Sequence, residues 1–355
     1  MEEALWAELQ KAAGKENASR QLIDLVFYSY DASDHFGRPQ AAAWATDTEQ
    51  VSRILKWAHK HGVPVIPRGA GTSLSGMTVP ARGGVVLDMS RMNRILALRV
   101  PDRLVILEPG VVYTDLQRVL APKGFFFPPD PASGSVCTIG GNVATNAGGI
   151  RGAKYGVTQD YVLGLEVVLA DGSIMHTGSK CMKSVSGYEL TKLFVGSEGT
   201  LGVVTGITLK IAPLPRHTVT ASMAFEHLAD AGRAVSRIVQ AGIVPCVMEI
   251  LDSICVKILR RQSDLDVPDA EALLLLETDG RTLEEATKEM DRALVLTNEC
   301  GGGGHLRKAR SLEEAASLWQ ARRALGGIIT RLRPSFAVED VTVPISRVPE
   351  LESVR

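Results

Sequence analysis

The feature that most constrains this chain is a pair of glycine-rich runs that regular helices and strands tolerate poorly. The first is Pro67-Arg68-Gly69-Ala70-Gly71-Thr72-Ser73-Leu74-Ser75-Gly76, and the second extends from Asp130 to Gly149. Glycine costs a helix interior roughly 1 kcal/mol against alanine, so both runs read as loops. The first follows a short apolar strand, Val63 to Pro67, and its glycines let successive backbone N–H groups turn inward around anionic oxygen. Hydroxyls at Thr72, Ser73 and Ser75 add donors. A simple turn needs one or two glycines rather than three, so a phosphate or pyrophosphate is the expected occupant.

Two better-known phosphate loops are excluded. Gly71 and Gly76 have the P-loop spacing, but Met77-Thr78 follows where a lysine and a hydroxyl residue are required. A Rossmann turn needs a third glycine where this chain has Leu74, although Asp88 stands near the distance of that motif's ribose-binding acid.

At 355 residues the chain should carry two domains. A net charge of -1 argues against nucleic acid as a partner. The acidic start, Met1-Glu2-Glu3, does not read as a signal peptide, and no apolar run of about 18 residues marks a membrane span. Five cysteines lie scattered without C-x-x-C pairs, which fits a reduced, cytoplasmic setting and leaves no structural metal or cluster.

Along the chain, residues 1–14 and 20–26 read as short helices capping a sheet. Val51, Ile54, Leu55 and Ala58 mark an amphipathic helix closing at Gly62. Strands follow at Val85–Asp88 and Leu104–Glu108, and Thr114-Asp115-Leu116-Gln117 offers a capping box for a helix bearing Leu116, Val119 and Leu120. Phe125-Phe126-Phe127 reads as a core plug, because consecutive aromatics cannot all face one ligand. Asp171-Gly172 suits a hairpin turn, and His176 on its second strand reads as a surface or satisfied residue. After Pro213 and Pro215 the texture changes. Strands over 218–225, 245–250 and 272–278 alternate with helices over 228–241, 252–261 and 283–299, which predicts an antiparallel sheet backed by helices. The Gly301–Gly304 run has helix-ending composition. The class is α+β.

Four phrases in fixed order carry a resemblance: Tyr28-Ser-Tyr-Asp-Ala-Ser33, Pro67-Arg-Gly-Ala-Gly-Thr72, Gly140-Gly-Asn-Val-Ala-Thr-Asn-Ala-Gly-Gly149 and Gly196-Ser-Glu-Gly-Thr-Leu-Gly202. Together they resemble the FAD-binding domain of the vanillyl-alcohol oxidase and p-cresol methylhydroxylase (PCMH) superfamily, in its glycolate oxidase GlcD and D-lactate dehydrogenase branch. The resemblance implies a two-subdomain PCMH-type FAD domain over 38–215, preceded by a helical cap segment over 1–37. A ferredoxin-like α+β cap domain would follow over 216–355. It assigns cofactor contacts to Arg68, Gly69, Ala70, Gly71, Thr72, Ser73, Gly76, Pro131, Ser135, Thr138, Gly141, Asn142, Thr145, Gly148, Glu198, Gly199 and Val204. Arg151, Lys154 and Tyr155 would reach flavin phosphate or solvent equally well. Some relatives link flavin through histidine or cysteine, but His35 sits in an unactivated loop and Cys137 is offset by one residue, so FAD is expected to be non-covalent.

Trp319-Gln-Ala-Arg-Arg323 and Phe336-Ala-Val-Glu-Asp340 also resemble phrases of this branch. Arg322 matches the arginine that binds the carboxylate of a 2-hydroxy acid there, while Arg323 reads as a solvated helix residue. Relatives acting on dicarboxylic hydroxy acids carry a lysine just before the Asp340 position, where this chain has Val338 and Glu339, which favours a short monocarboxylate such as glycolate or D-lactate. The branch normally continues with H-x-G-D-G-N-x-H, supplying metal ligands and a base, and no such phrase occurs among the seven histidines here. The expectation is therefore a C-terminally truncated chain whose catalytic base lies beyond residue 355. The implied activity is FAD-dependent oxidation of a small 2-hydroxy acid with a non-oxygen acceptor. The alternative is a non-catalytic FAD-carrying subunit. Implied partners are iron–sulfur and second flavin subunits of a glycolate oxidase complex, through which the protein would sit peripherally at the inner membrane.

Overall fold

A computed structural model describes residues 1–262, 267–303, 305–311, 313–319, 322, 325, 328 and 341–354. The chain divides into two units, Met1–Gly149 with Val157–Leu214, and Ile150–Gly156 with Pro215–Arg355. Among the described residues no helix is long and apolar enough to cross a membrane.

The first unit opens with helix α1 (Glu3–Ala13), the short strand β1 (Ala18–Ser19) and helix α2 (Leu22–Phe27), followed by β2 (Ala41–Trp44). Helix α3 (Thr48–His61) forms because Asp47 caps its start, accepting from the Gln50 N–H at 2.7 Å, and Gly62 ends it in the left-handed region at φ 62°. Val51, Ile54, Leu55 and Ala58 are buried on one face and pack with Leu9 and Ala13 of α1. Residues 1–37 thus belong to this unit. Strands β3 (Val65–Arg68) and β4 (Val85–Asp88) complete a four-stranded sheet of order β1-β2-β4-β3, in which β2 and β3 run parallel on either side of β4.

Next come β5 (Ile95–Arg99), β6 (Leu104–Leu107), α4 (Tyr113–Leu120), β7 (Phe125–Phe126) and α5 (Ile139–Thr145). The chain then leaves for the second unit with α6 (Gly152–Tyr155). It returns as β8 (Val162–Val168), β9 (Ile174–Gly178), α7 (Leu190–Phe194), β10 (Val203–Lys210) and β11 (Ala212–Pro213). Strands β5-β6-β10-β8-β9 form an antiparallel sheet, with Gly172 at φ 80° in the turn between β8 and β9. Its core gathers Leu116, Leu120, Phe127, Ile139 and Val143.

Two expectations are corrected here. The Thr114–Gln117 capping box does not form. Helix α4 starts at Tyr113, and its first N–H groups are taken by carbonyls of the second glycine run: Tyr113 donates to Cys137 and Thr114 to Gly134. With those donors satisfied, no side-chain cap is needed. Gln117 instead clasps the Phe127 backbone, donating to its carbonyl at 2.6 Å and accepting from its N–H at 3.2 Å, while Val119 is exposed. Nor is the second glycine run all loop, because Ile139–Thr145 winds into α5 under Thr138, which accepts from the Gly141 N–H at 3.2 Å. Burial of Ile139 and Val143 overrides the poor helix propensity of Gly140 and Gly141.

The second unit carries β12 (His217–Phe225), α8 (Leu228–Gln240), β13 (Val247–Asp252), α9 (Ser253–Gln262), β14 (Ala272–Gly280), α10 (Leu283–Glu299) and β15 (Leu306–Lys308). The sheet order β13-β14-β12-β15, antiparallel throughout, is the ferredoxin-like arrangement with α9 added. Ala231, Ala234 and Ile238 of α8 and Met290 and Ala293 of α10 cover one face, against Val219, Ala221, Leu274 and Leu276. The other face packs Leu273 and Leu275 on Val256, Leu259 and Trp319. Gly301, at φ 93°, follows the end of α10; Gly304, Arg323 and residues 329–340 lie outside the described residues.

Glu166 on β8 ties three elements of the first unit together. It accepts from Thr48 at 2.6 Å and Thr205 at 2.8 Å and pairs with His176 at 3.1 Å. Burial pushes its carboxyl up, but the Thr48, Thr205 and His176 contacts outweigh that and hold it below the ordinary value. A carboxylate with a lowered folded pKa contributes stability above its unfolded pKa of about 4.3, and loses it as pH falls through the folded value. Glu166→Gln should therefore cost about 1–3 kcal/mol at pH 7 by thermal unfolding, with the gap closing in acid. An equal gap at both pH values would show that the charge contributes nothing.

Candidate functional site

Strand β3 delivers Arg68 into the interior at the base of the first glycine loop. Its side chain is 5% exposed, and Nη1 donates to the Tyr30 carbonyl at 2.7 Å. The guanidinium lies 5.5 Å from the Tyr28 ring centre and 5.8 Å from that of Phe27, within cation–π range. Asp88, its register partner on β4, accepts from the Tyr28 hydroxyl at 2.6 Å, and Trp44 Nε1 donates to that hydroxyl at 2.8 Å. Desolvation pulls the Arg68 pKa down while Asp88, Tyr28 and Asp31 oppose the shift. Desolvation, then Asp88, pushes the Tyr28 phenol up. Arg68 thus gives one donor, Nη1, to the protein under the loop, and Asp88, which resembled a ribose-binding acid, is occupied by Tyr28.

Above this base the loop is bare. Gly71 has φ 68°, and a Cβ there would overlap the Arg68 guanidinium; a Cβ on Gly76, at φ 74°, would overlap the exposed His35 ring. Among the described residues the N–H groups of Gly69, Ala70, Gly71, Thr72 and Ser73 make no hydrogen bond. Five successive free amides form a ready concavity for anionic oxygen.

The other phrases converge on this loop. Gly69 lies so close to Thr138 that a Cβ would overlap its hydroxyl, and a Cβ on Gly199 would stand 2.7 Å from Pro67. The Gly196 N–H donates to Val143 and the Glu198 N–H to Ala144, both at 2.9 Å, with Glu198 itself at φ 53°. These contacts join the Gly196–Gly202 phrase to the end of α5. Thr145 donates back to the Gly141 carbonyl at 3.0 Å. Asn142 is 3% exposed, and its Nδ2 finds no hydrogen-bond acceptor. Outside this cluster, the Pro131 carbonyl closes a turn with Gly134, Ser135 is exposed, Gly148 abuts Val157, and Val204 packs into the core of the five-stranded sheet. Cys137 is buried, and burial pushes its thiol up, away from the reactive thiolate.

In the second unit, Arg322 Nε donates to Glu249 at 2.7 Å. Lys154 and Tyr155 meet on one carboxylate: Lys154, still exposed, pairs with Asp279, and the half-buried Tyr155 donates its hydroxyl to the same group at 2.5 Å. Glu277 accepts from Trp319 at 2.9 Å and Thr220 at 3.0 Å. No sequence signal marked Glu249, Glu277 or Asp279, because carboxylates on strands read as exposed positions until the covering elements are known.

Residues 39–178 match a family described as FAD binding domain, and residues 214–353 match the C-terminal domain of FAD linked oxidases. The glycolate oxidase subunit GlcD of Bacillus subtilis (strain 168) is 40% identical over 97% of this chain and 73% of its own length. The chain belongs to the FAD-linked oxidases. Other members are the mitochondrial D-lactate dehydrogenase [cytochrome] of Arabidopsis thaliana, 35% identical over 94% of the chain, and GlcD of Escherichia coli (strain K12), 34% identical over 92%. The chain spans 60% and 65% of those two proteins. Two solved structures share the fold of this FAD-linked oxidase. Alkyldihydroxyacetonephosphate synthase has a TM-score of 0.78 at 20% identity, covering 100% of this chain and 74% of that one. Substrate-bound p-cresol methylhydroxylase has a TM-score of 0.75 at 19% identity, covering 90% and 68%.

FAD is the cofactor of this family, and the residues present fit it. The free amides of Gly69 to Ser73 suit a pyrophosphate, and the buried Asn142 Nδ2 lacks an acceptor that a polar cofactor atom would supply. Gly71→Val should remove most bound flavin, since a β-branched residue at positive φ costs on the order of 1–3 kcal/mol before any clash with Arg68. Flavin absorbance per protein in the purified variant checks this, and wild-type occupancy would remove the cradle. With Cys137 buried and protonated, acid precipitation should release all flavin into the supernatant, whereas a yellow pellet would reveal a covalent link.

Proposed function

We propose that this chain oxidises a small 2-hydroxy monocarboxylate, glycolate or D-lactate, to the 2-oxo acid and passes the electrons to an acceptor other than oxygen. The observation that carries this reading is the 40% identity to a glycolate oxidase subunit over 97% of the chain. A D-lactate dehydrogenase from Anaerostipes hadrus, 34% identical over 91% of the chain, supports the same substrate class. When bound, FAD supplies the two-electron acceptor for the hydrogen on the substrate α-carbon.

The chain's own residues bind and orient. Amides of Gly69 to Ser73 hold the phosphates, α5 presents Asn142, and the buried Arg68 keeps the loop in shape from below. In the second unit Arg322 binds the substrate carboxylate, for which a planar guanidinium offers two parallel hydrogen bonds. Iron–sulfur and second flavin subunits are the proposed electron-accepting partners, and docking on them would place the protein peripherally at a membrane.

Replacing the fork by a point charge tests the assignment. In the full-length natural protein, Arg322→Lys should raise KM for glycolate and D-lactate about tenfold or more with a smaller change in kcat, measured with an artificial electron acceptor. An unchanged KM for both acids would remove Arg322 from the site.

A further inference from the structure

Arg322 and Trp319 stand one helical turn apart, and both are held by carboxylates of the sheet in the second unit. Trp319 Nε1 donates to Glu277 Oε2 at 2.9 Å, and Arg322 Nε donates to Glu249 Oε2 at 2.7 Å. Glu249 lies on β13 and Glu277 on the adjacent β14, with Val247 opposite Glu277 and Leu275 opposite Glu249. Because side chains alternate along a strand, this register puts both carboxylates on one face. The helix carrying Arg322 is therefore pinned at two points to neighbouring strands.

The contact on Arg322 is selective. A guanidinium has one edge made of Nε and an Nη, and a second edge made of both Nη groups. Glu249 takes Nε, and among the described residues neither Nη makes a hydrogen bond. The Arg322 side chain is 34% exposed against 23% for Glu249, so the pair is anchored from the sheet side with its cationic part still accessible. The open Nη1–Nη2 edge carries two parallel N–H bonds, the geometry that a carboxylate accepts in bidentate fashion.

We propose that Glu249 is the positioning residue for Arg322, fixing its guanidinium through Nε so that the Nη1–Nη2 edge receives the substrate carboxylate. This rests on Arg322 as the carboxylate-binding residue. A free arginine side chain would lose rotamer freedom when substrate binds, whereas one already held loses less. Glu249 touches no reacting atom, and its effect passes entirely through Arg322.

The test is calorimetric titration of the FAD-loaded full chain with 2-hydroxyisobutyrate, a 2-hydroxy monocarboxylate that has no α-hydrogen and so binds without turnover. Glu249→Ala should weaken binding about tenfold, the size expected for losing a charged hydrogen bond. Glu249→Gln keeps an acceptor for Nε and should stay within about threefold of the wild type. In an Arg322→Lys background, which has no Nε–H edge to fix, Glu249→Ala should add no further loss. Thermal unfolding of each variant shows whether the fold persists; if the Ala variant unfolds, Glu249→Leu, which removes the acceptor at similar volume, takes its place with the same expected tenfold loss. If Arg322→Lys weakens binding while Glu249→Ala or Glu249→Leu does not, or if the two losses simply add, the positioning role is overturned and Arg322 stands. If Arg322→Lys binds like the wild type, the carboxylate reading itself falls.

Discussion

The buried guanidinium of Arg68 is the interaction on which the first unit's site depends. A cation in that position is unfavourable unless its charge is answered, and the Tyr30 carbonyl, the nearby charge of Asp88 and the rings of Phe27 and Tyr28 answer it. Those partners come from α2, the stretch after it, and β4. The side chain therefore locks the N-terminal segment to the sheet at the root of the glycine loop. It also occupies the space above which Gly71 must pass without a Cβ, so the structural need for glycine and the functional need for bare amides coincide there.

The same economy holds around α5. Two adjacent glycines would end most helices, yet here Gly140 passes Pro109 too closely for a side chain, and Thr138 both caps α5 and packs on Gly69. In the second unit buried charge serves a different purpose. Glu277, Asp279 and Glu249 each hold a donor from a covering segment, so the polar face of the sheet orders Trp319, Lys154, Tyr155 and Arg322.

Much of this was legible from local pattern. The α3 boundaries follow from Asp47, the Val51–Ile54–Leu55–Ala58 face and Gly62, and the second unit's strands and helices from β12 to α10 fall within a residue or two of where period and breakers put them, whereas β15 had no such signal. What failed did so for one reason. The Thr114 cap and the all-loop reading of residues 130–149 each assumed that a local group lacks a distant partner, and the reading of Lys154 and Tyr155 left out their shared carboxylate. Carbonyls of Gly134 and Cys137, apolar burial around α5, and Asp279 supplied those partners.

The sequence by itself determined the class, the strand and helix series, the glycine loops and the family, because these depend on backbone freedom, hydrophobic period and motif order over short spans. Only the tertiary structure decided which polar groups face a ligand. Asp88 looks like a ligand-binding residue in sequence and is held by Tyr28, and Arg68 gives Nη1 to the Tyr30 carbonyl, while Asn142 is left with a donor and no acceptor. Glu249 gains a role only because β13 and the Trp319–Arg322 turn meet. Hydrogen-bond saturation is a property of the whole packed unit, and no stretch of chain carries it alone.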